Sequence, residues 1–415
     1  MSRTRFSATR HAAHGMSLIE LLIALLIGTV LILGLVQVFG ASRAAYQLSQ
    51  GIARNQESAR FALDFLSRDL RMTGHSGCVN DQSLLRLDTD GTFIGGNMRP
   101  LFLTGAQRDA NDVAALPFPL RFDVAVQGFE AASSAPGDSL DVATTPGAGD
   151  AGDWDPALPA ELADLEPVAG SDVLVMRFLS SEQAPATWAP GTPALITYPA
   201  ASGDVATGGG GLFALSDCVG TAVFQASAAP SATQMSVEAT GLNQSELAYV
   251  SANDSTNITT NTGGATLHRA ESVAYYVSLN AQGIPALYRA RWTSAPGSGA
   301  LDVFEEELVE GVESMQLLFG EDENSEVPAL PPTGNITKAN TADVIGDETE
   351  SERWRRVGAV QLGLLVRGGS EDSSASAQAD VPLQVLQVDM NAPDDRHYRS
   401  VYEITVALRN RLFGN

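Results

Sequence analysis

Apolar residues fill the chain from Met16 to Gly40, and Glu20 is the only charged residue among them. As a helix this stretch is about 37 Å long at ~1.5 Å per residue, which is enough to cross a bilayer. Residues 1–15 contain three arginines and no acid. Because basic residues flank the cytoplasmic end of a membrane helix, this pattern places the N-terminus in the cytoplasm and the bulk of the chain outside it.

The helical pattern continues through residues 41–75, but here the apolar residues lie on one face of the helix. Phe61, Phe65, Leu66 and Leu70 recur at helical spacing and mark a single apolar face. Glycines at the end of this stretch favour termination of the helix. The pattern therefore predicts one helix of about sixty residues, apolar all round in its first half and amphipathic in its second.

Strand patterns replace the helical one in the remainder of the chain, residues 76–415. Apolar side chains alternate in the segments DVLVMRFL, SVAYYVSL, SMQLLF, VGAVQLGLLVR and VYEITVALRN. The NAQGIP turn between SVAYYVSL and ALYRARW predicts a β-hairpin. The simplest arrangement is an α+β fold, in which an antiparallel, β-rich head packs on the amphipathic half of the helix.

Three segments of the head resemble loop insertions. Residues 129–170 are rich in Ala, Gly, Asp and Pro, residues 250–265 are polar and short-chained, and residues 320–352 combine prolines with acidic clusters. None of these segments marks a clear linker between two independent cores. We therefore expect one subdivided head rather than two domains.

Composition narrows the classes of function. The chain has 49 acidic and 25 basic residues and a formal net charge of −24. Such a surface repels a phosphate backbone, so direct nucleic-acid binding is not expected. The acidic clusters offer oxygen ligands for calcium, but none has the EF-hand spacing, and solvated surface charge is the simpler interpretation.

Catalytic motifs are not found in the sequence. The five histidines have no metal-ligand spacing, and the two cysteines are too few for a zinc cluster. The sequence contains no nucleophile elbow and no phosphate-binding lysine after its glycine-rich stretch. We therefore predict no enzymatic activity, no cofactor and no metal site.

The apolar stretch 16–40 has three interpretations. A secretory signal peptide would have a shorter apolar core and a small-residue cleavage site, for which Gly40-Ala41-Ser42 is only a passable match. A plain single-pass anchor fits the length but leaves Glu20 unexplained, since a carboxylate costs about 2.5–3.5 kcal/mol at mid-bilayer. A position at the headgroup level would reduce that cost.

The third interpretation accounts for the basic leader, Gly15 and Glu20 together. The string GMSLIELLIALLIG resembles the type IV prepilin signature. The resemblance implies that prepilin peptidase cuts between Gly15 and Met16, removing residues 1–15, and that Met16 is then N-methylated, although most prepilins have phenylalanine there. It also implies that Glu20 directs subunit docking. By pairing with the N-terminal ammonium of an adjacent subunit, Glu20 would relieve the cost of two charges in lipid.

The head has a resemblance of its own, to the PilW family of minor pilins, over much of residues 16–415. The segments that carry it are RMTGHSGC, LFALSDCVGTAVFQ, YYVSLN with ALYRARW, EELVEGVESMQLLFGED, WRRVGAVQLGLLVR and DDRHYRSVYEITVALRN, and their order makes it specific. The resemblance implies a type IV pilin-like fold, with Cys78 and Cys218 in an oxidising compartment. A disulfide between them would stabilise the head by roughly 2–5 kcal/mol, and the alternative is two buried free thiols.

The resemblance also implies a function. The chain is expected to be a minor pilin of the bacterial type IV pilus, in the priming or tip complex needed for pilus assembly, and so for twitching motility, adhesion and DNA uptake. Its partners would be the prepilin peptidase, the other minor pilins and the major pilin through the helix, and a PilY-type tip adhesin. It would lie in the inner membrane with its head in the periplasm before assembly, and in the fibre or at its tip on the cell surface afterwards.

Three other assignments compete with this one. A type II secretion pseudopilin shares the leader and helix, although this head is large for that class. A tip-located adhesin would use the long insertions to contact a surface or another cell. A simple anchored periplasmic protein would match the prepilin signature by chance.

Overall fold

The computed structural model describes residues 17–78, 86–87, 93–94, 98–109, 112–207, 210–216, 220–247, 265–327, 332–346, 351–368, 382–393, 395 and 397–411. Four sequence predictions fall outside the described residues. These are the leader 1–15, the cleavage position between Gly15 and Met16, the second cysteine Cys218, and nearly all of the segment 250–265.

The helices and strands have the following bounds. The helices are α1 (Leu18–Met72), α2 (Gly105–Asp109), α3 (Ala160–Ala163), α4 (Gly203–Thr207), α5 (Ala342–Ile345) and α6 (Ser351–Trp354). The strands of the first half are β1 (Arg86–Leu87), β2 (Phe93–Ile94), β3 (Met98–Pro100), β4 (Val126–Ala131), β5 (Ser139–Asp141), β6 (Trp154–Asp155), β7 (Val173–Ala189), β8 (Ala194–Thr197), β9 (Leu212–Ser216), β10 (Thr221–Gln225) and β11 (Gln234–Val237). Those of the second half are β12 (Ala265–Leu279), β13 (Pro285–Thr293), β14 (Asp302–Glu310), β15 (Val312–Asp322), β16 (Ile336–Asn340), β17 (Val357–Arg367), β18 (Leu383–Val385), β19 (Val388–Asn391) and β20 (Arg399–Ala407). Short 3₁₀ turns lie at Val113–Ala115, Phe118–Leu120, Ala151–Asp153, Ala200–Ser202 and Arg409–Arg411.

Helix α1 is one uninterrupted helix of 55 residues, which confirms the predicted long helix. Its sequence contains no proline and is rich in leucine and alanine, two of the strongest helix formers. The helix ends where Gly74 takes a φ of +76°, a left-handed conformation that glycine adopts without steric cost.

The largest sheet formed by the described residues has eleven strands. Its main path runs in the order β11-β8-β7-β12-β9-β10-β3, with β13 and β14 continuing from β12, and β4 and β6 from β7. Strands β7 and β12 have 17 and 15 residues, long enough for each to pair with different neighbours along its two halves. The predicted hairpin is confirmed, since β12 and β13 pair antiparallel with Tyr276 opposite Tyr288.

Three smaller sheets complete the described strands. Strands β16-β15-β17-β20 form an antiparallel sheet that contains three of the predicted strands, SMQLLF, VGAVQLGLLVR and VYEITVALRN. Strands β18-β19-β5 form a third sheet, and β1 pairs with β2 in a fourth. The third sheet packs on the second, because Val385 and Met390 share a buried cluster with Leu318 and Leu365.

The main hydrophobic core lies between the second half of α1 and the two largest sheets. Leu66 and Leu70 of the helix are fully buried together with Met176, Tyr275 and Phe319 of the strands. Burying one such apolar side chain contributes about 1.5–3 kcal/mol. The second half of α1 is therefore part of the head, and the predicted α+β arrangement is confirmed.

The buried face of α1 differs in part from the predicted one. Leu66 and Leu70 are buried as the spacing predicts, together with Ala59 and Ala62. The prediction for Phe61 is wrong, since its side chain is 52% exposed. Consecutive helical residues are about 100° apart, so Phe61 lies to one side of the stripe that Ala62 occupies.

The alanine- and glycine-rich segment 129–170 is rich in loops but is a packed part of the head. It contains the end of β4, the short strands β5 and β6, and α3. Trp154, Leu158, Leu162 and Leu165 are at most 6% exposed. They pack on the large sheet against strand residues whose sequence neighbours face α1, so this segment covers the sheet face opposite the helix.

The segment 320–352 contains the end of β15, strand β16 and helix α5. Asp322 lies at the end of β15, and its carboxylate accepts backbone N–H bonds from Asn324, Thr333 and Gly334 at 2.7–3.0 Å. This acidic side chain therefore joins the residues that follow β15 to those that precede β16.

Candidate assembly site on the N-terminal helix

The first half of α1 stands free of the head. Its large apolar side chains from Leu18 to Phe39 are all exposed, by 47% at Leu21 and by 77% at Leu18. This part of the helix is long and apolar enough to cross a membrane. From Leu18 to Phe39 it measures roughly 33 Å at ~1.5 Å per residue, close to the ~30 Å of a hydrocarbon core.

Glu20 lies in the first turn of α1, with its side chain exposed within the apolar stretch. Ser17 precedes the helix in an extended conformation, and its carbonyl accepts a 3.1 Å bond from the Leu21 N–H. The helix dipole favours a carboxylate at this end. No cation of the described chain lies within ion-pair distance of Glu20. A carboxylate in lipid without a cation is costly, so a cation supplied by another molecule would be bound favourably.

Asn55 marks the point at which the head begins to cover α1. All described helix residues before it are exposed or half-buried, whereas Asn55 is 1% exposed. Its Nδ2 donates to the carbonyl oxygens of Val366 (3.3 Å) and Tyr398 (3.1 Å), on and next to two strands of the second sheet. Because a buried amide needs such partners, these bonds fix the position of the helix on the head.

A second polar contact joins α1 to the large sheet. Asp69 Oδ2 accepts a 2.7 Å hydrogen bond from the Tyr275 hydroxyl and lies 3.4 Å from Nη1 of Arg289. Arg289 also donates a 2.7 Å bond to Glu306. Burial, together with the negative charge of Asp69, raises the pKa of Tyr275, so the phenol keeps the proton that it donates.

The C-terminal end of α1 is closed by a residue from the end of the head. Nδ2 of Asn410 lies 3.1–3.3 Å from the carbonyl oxygens of Arg71, Met72 and Thr73. The last carbonyls of a helix have no partner within the helix, so this side chain satisfies groups that would otherwise need water.

Cys78 lies six residues beyond the helix and contacts the end of β9. Its backbone N–H donates to Ser216 Oγ at 3.3 Å. Gly77 packs so closely on the same hydroxyl that a side chain would have no room. Cys218 is two residues beyond Ser216 but outside the described residues, so the predicted disulfide remains a prediction.

Two histidines that are far apart in sequence meet beside this junction. The ring centroids of His75 and His268 are 5.6 Å apart, and the rings are steeply inclined to each other. Nδ1 of His75 lies 2.9 Å from the Leu179 carbonyl oxygen and ties the segment after α1 to β7. Nδ1 of His268, on β12, lies 2.9 Å from the Ser180 carbonyl oxygen of the same strand β7. Burial lowers the pKa of His268. Within the described residues no group of three or more His, Cys, Asp or Glu side chains could hold a metal ion.

Known protein families match two parts of the chain, the start of the N-terminal helix and the C-terminal part of the head. Residues 10–36 match the prokaryotic N-terminal methylation motif, a range that includes Glu20 and most of the free apolar part of α1. Residues 274–410 match the family of type IV pilus-assembly protein W, from the middle of β12 through β20. No curated protein and no solved structure matches the chain.

The two family matches confirm the predicted resemblance to the prepilin signature and to the PilW family. They support a type IV pilus-related pilin with a membrane-anchoring N-terminal helix. The matched ranges are narrower than the predicted resemblance, which covered much of residues 16–415. The segments around Cys78 and Cys218 lie outside them.

Sequence patterns did not identify the residues that dock α1 on the head. Asn55 and Asp69 are polar but lie on the buried stripe of the helix, four residues before Ala59 and three after Leu66. Polar residues on an otherwise apolar helical face are the signal that would have marked them, because burial obliges them to find hydrogen-bond partners.

Proposed function

We propose that the chain is a minor pilin of the bacterial type IV pilus, a structural component of the complex that primes assembly and occupies the fibre tip. The proposal rests on the difference between the two halves of α1. An exposed apolar half begins within the methylation motif, and the second half is embedded in a head whose C-terminal part matches the pilus-assembly family.

In this proposal the apolar half of α1 serves first as an anchor and then as an assembly element. The prepilin inserts in the inner membrane with its basic leader in the cytoplasm and its head in the periplasm. Prepilin peptidase cuts after Gly15, and the new amine of Met16 is methylated. Glu20 then pairs with the terminal ammonium of a neighbouring pilin. In the pair each charge compensates the other within the lipid, and the contact sets the axial offset between the two helices.

The head would transmit the position of that helix to its neighbours. The bonds of Asn55 and Asp69, with the cap from Asn410, hold the second half of α1 rigidly against two sheets. The head would then present fixed side surfaces to other minor pilins, and its exposed loops to a PilY-type tip adhesin. Twitching motility, adhesion and DNA uptake would follow from extension and retraction of the fibre. The role proposed for this chain is structural and not catalytic.

The N-terminal residue and intact mass of the membrane-extracted protein test this function. In cells with prepilin peptidase we expect a chain that starts at Met16 and is heavier by one methyl group, and in cells without it a chain that starts at Met1. Gly15→Val should block the cut. Gly40→Ala should not, since a Cβ there meets open space.

The competing assignments give different N-termini. A wild-type chain that still starts at Met1 in the presence of the peptidase would indicate a plain anchored protein. A chain cut near Ser42 would indicate a secreted one. Either result would overturn the proposal.

A further inference from the structure

A groove of about 960 Å³ runs along one flank of the second half of α1. Its helix wall extends from Gln56 to Met72, and its other walls come from β7, β12, β13 and β20 and the residues next to them. Six arginines line the groove, which we call the arginine groove: Arg60, Arg68, Arg71, Arg269, Arg289 and Arg291. Only four acids do so: Asp64, Asp69, Glu182 and Glu271. The groove is therefore locally basic in a chain whose net charge is −24.

Part of this positive charge is neutralised within the chain. Arg289 pairs with Asp69 and Arg269 with Glu182, at 3.4 Å in each case. The Arg289 pair joins the sheet to Asp69 of α1, whereas the Arg269 pair lies on the sheet side of the groove. Each arginine also has a second acid partner, Glu306 at 2.7 Å from Arg289 and Glu271 at 3.8 Å from Arg269. The ion pairs orient Arg269 and Arg289. They do not involve the arginines on the helix side of the groove.

The helix side of the groove carries the unneutralised charge. Arg60, Arg68 and Arg71 are exposed, and no acid of the described chain lies within ion-pair distance of them. Asp64 is four residues from both Arg60 and Arg68 but pairs with neither. At about 100° per residue the three arginines lie within roughly 80° of one another around the helix, so they line the same flank.

The position of the groove excludes a membrane as its ligand. At ~1.5 Å per residue, Arg60 lies about 30 Å and Arg71 about 46 Å along the helix from Gly40, where the apolar stretch ends. Attraction to lipid headgroups is screened within about 8 Å at physiological salt. The arginines therefore face a ligand that is present at the level of the head.

The lining also favours a protein segment over a nucleic acid. Apolar side chains lie between the arginines, among them Leu63, Phe178 and Val273. A peptide with apolar and acidic side chains can use both, since guanidinium groups bind carboxylates in a bidentate manner. A nucleic acid would extend beyond the groove and meet the acidic remainder of the surface.

We infer that the arginine groove binds an acidic segment of a neighbouring protein subunit. The inference rests on the proposed pilin function only for the source of that neighbour. The binding chemistry itself is a property of this head.

Fluorescence anisotropy of the full-length chain in detergent tests the inference at about 50 mM salt, where surface charges are weakly screened. The probe is a labelled ten-residue peptide of glutamates with leucine at every third position. The groove variant is Arg60→Gln/Arg68→Gln/Arg71→Gln. The control variant Arg43→Gln/Arg54→Gln/Arg409→Gln removes the same charge from exposed arginines outside the groove.

The expected result is saturable binding that weakens about tenfold in the groove variant and less than about twofold in the control, from three exposed pairs of about 0.5 kcal/mol each. The same peptide with lysines should not bind. Because all six substituted arginines are exposed, both variants should fold, and equal thermal midpoints would verify this. The single variant Arg68→Gln, with about a twofold loss, repeats the test with a smaller change.

Three results would overturn the inference. One is the absence of peptide binding, and another is an equal loss in both triple variants, which would reflect general charge attraction. The third is a twenty-base-pair DNA duplex that binds more tightly than the peptide and loses affinity in the groove variant. The proposed function fails separately, since it depends on whether the chain starts at Met16 and not on peptide binding.

Discussion

The Tyr275 hydroxyl donates a 2.7 Å hydrogen bond to Oδ2 of Asp69, and this bond joins the longest helix of the chain to a central strand of the largest sheet. Tyr275 is fully buried and Asp69 is 8% exposed. A hydrogen bond to a charged acceptor contributes about 1.5–3 kcal/mol. Tyr275→Phe should therefore lower the free energy of unfolding by about that amount, measured by urea titration of the full chain in detergent.

Tyr46 provides a matched control for this substitution. It is 65% exposed on the free part of α1, and its hydroxyl lies 3.0 Å from the Gln50 amide. Tyr46→Phe should change the free energy of unfolding by less than about 0.5 kcal/mol. Equal effects of the two substitutions would show that the bond to Asp69 does not hold the helix on the head.

A pair of buried acids lies where the two largest sheets meet. The Asp172 carboxylate accepts backbone N–H bonds from Ala131 (2.9 Å) and Leu317 (2.7 Å), one on each sheet. The Ser134 hydroxyl lies 3.4 Å from Glu130 and 3.5 Å from Asp172. Burial, followed by the negative charge of Asp172, raises the pKa of Glu130 to about 10.

Stability should therefore fall as the pH rises. The folded chain keeps a proton on Glu130 that the unfolded chain, with a pKa near the ordinary 4.5, releases. The stability due to this proton is complete below about pH 4.5 and is lost progressively as the pH rises towards 10. Burial also raises the pKa of the neighbouring Asp172, to about 8, so both acids contribute to the decline. Glu130→Gln removes one of these two titrating groups and should reduce the slope, measured by urea unfolding between about pH 6 and 9.

Glu57→Gln is the control for the pH experiment, because Glu57 is exposed on α1. It should leave the pH dependence of unfolding unchanged. If Glu130→Gln retains the slope of the parent chain, Glu130 is ionised in the folded protein and the prediction is wrong.

The contact of Cys78 with Ser216 leads to a prediction about the second cysteine. We expect a disulfide between Cys78 and Cys218, which would close a long loop. Cys78→Ser should then lower the free energy of unfolding by about 2–5 kcal/mol, and adding Cys218→Ser should cost little more. Maleimide labelling of the denatured, unreduced chain should find no free thiol. Two labelled thiols would contradict the pairing.

Trp154 tests whether the segment 129–170 is an expendable insertion. The indole is 3% exposed and donates a 2.9 Å hydrogen bond to the Ser171 carbonyl. Trp154→Ala should lower the free energy of unfolding by about 3–5 kcal/mol. Asp164→Ala, at an exposed position in the same segment, should change it by less than about 0.5 kcal/mol.

An equal, small effect of both substitutions would show that the segment is loosely attached. On the structure, deleting residues 129–170 would unfold the head rather than remove a loop. A role of this segment in adhesion is therefore better tested by substitutions at exposed positions.

Local periodicity was enough to predict much of the fold. The continuous apolar run and the helical spacing predicted α1, and alternation predicted the β12–β13 hairpin and strands β15, β17 and β20. The order of strands in the large sheet could not be predicted, because β7 and β12 pair with strands from distant parts of the sequence. The burial of Trp154 could not be predicted for a similar reason. The strands that form the sheet face covering it come from elsewhere in the chain.

The residues of the candidate site also differ in whether the local sequence could identify them. Glu20 could be singled out as a candidate docking residue because it lies within a short motif, and its docking role stays a prediction. The docking role of Asn55 and Asp69 could not be predicted, because their partners Tyr398 and Tyr275 are 343 and 206 residues away. A contact across such a separation has no local pattern, so only the folded chain reveals it.

Glu20→Ala tests the proposed docking role directly. The substitution removes the only charge from the apolar stretch, so membrane insertion and the cut after Gly15 should be retained. Without the carboxylate, the terminal ammonium of a neighbouring pilin has no counter-ion in lipid, so fewer surface pili should form. Glu57→Ala removes an exposed acid from the same helix outside the apolar stretch and should leave piliation normal. The measurements are N-terminal sequencing and the amount of sheared pilin. Normal surface pili in the Glu20→Ala strain, with correct processing, would mean that docking is directed by the head instead.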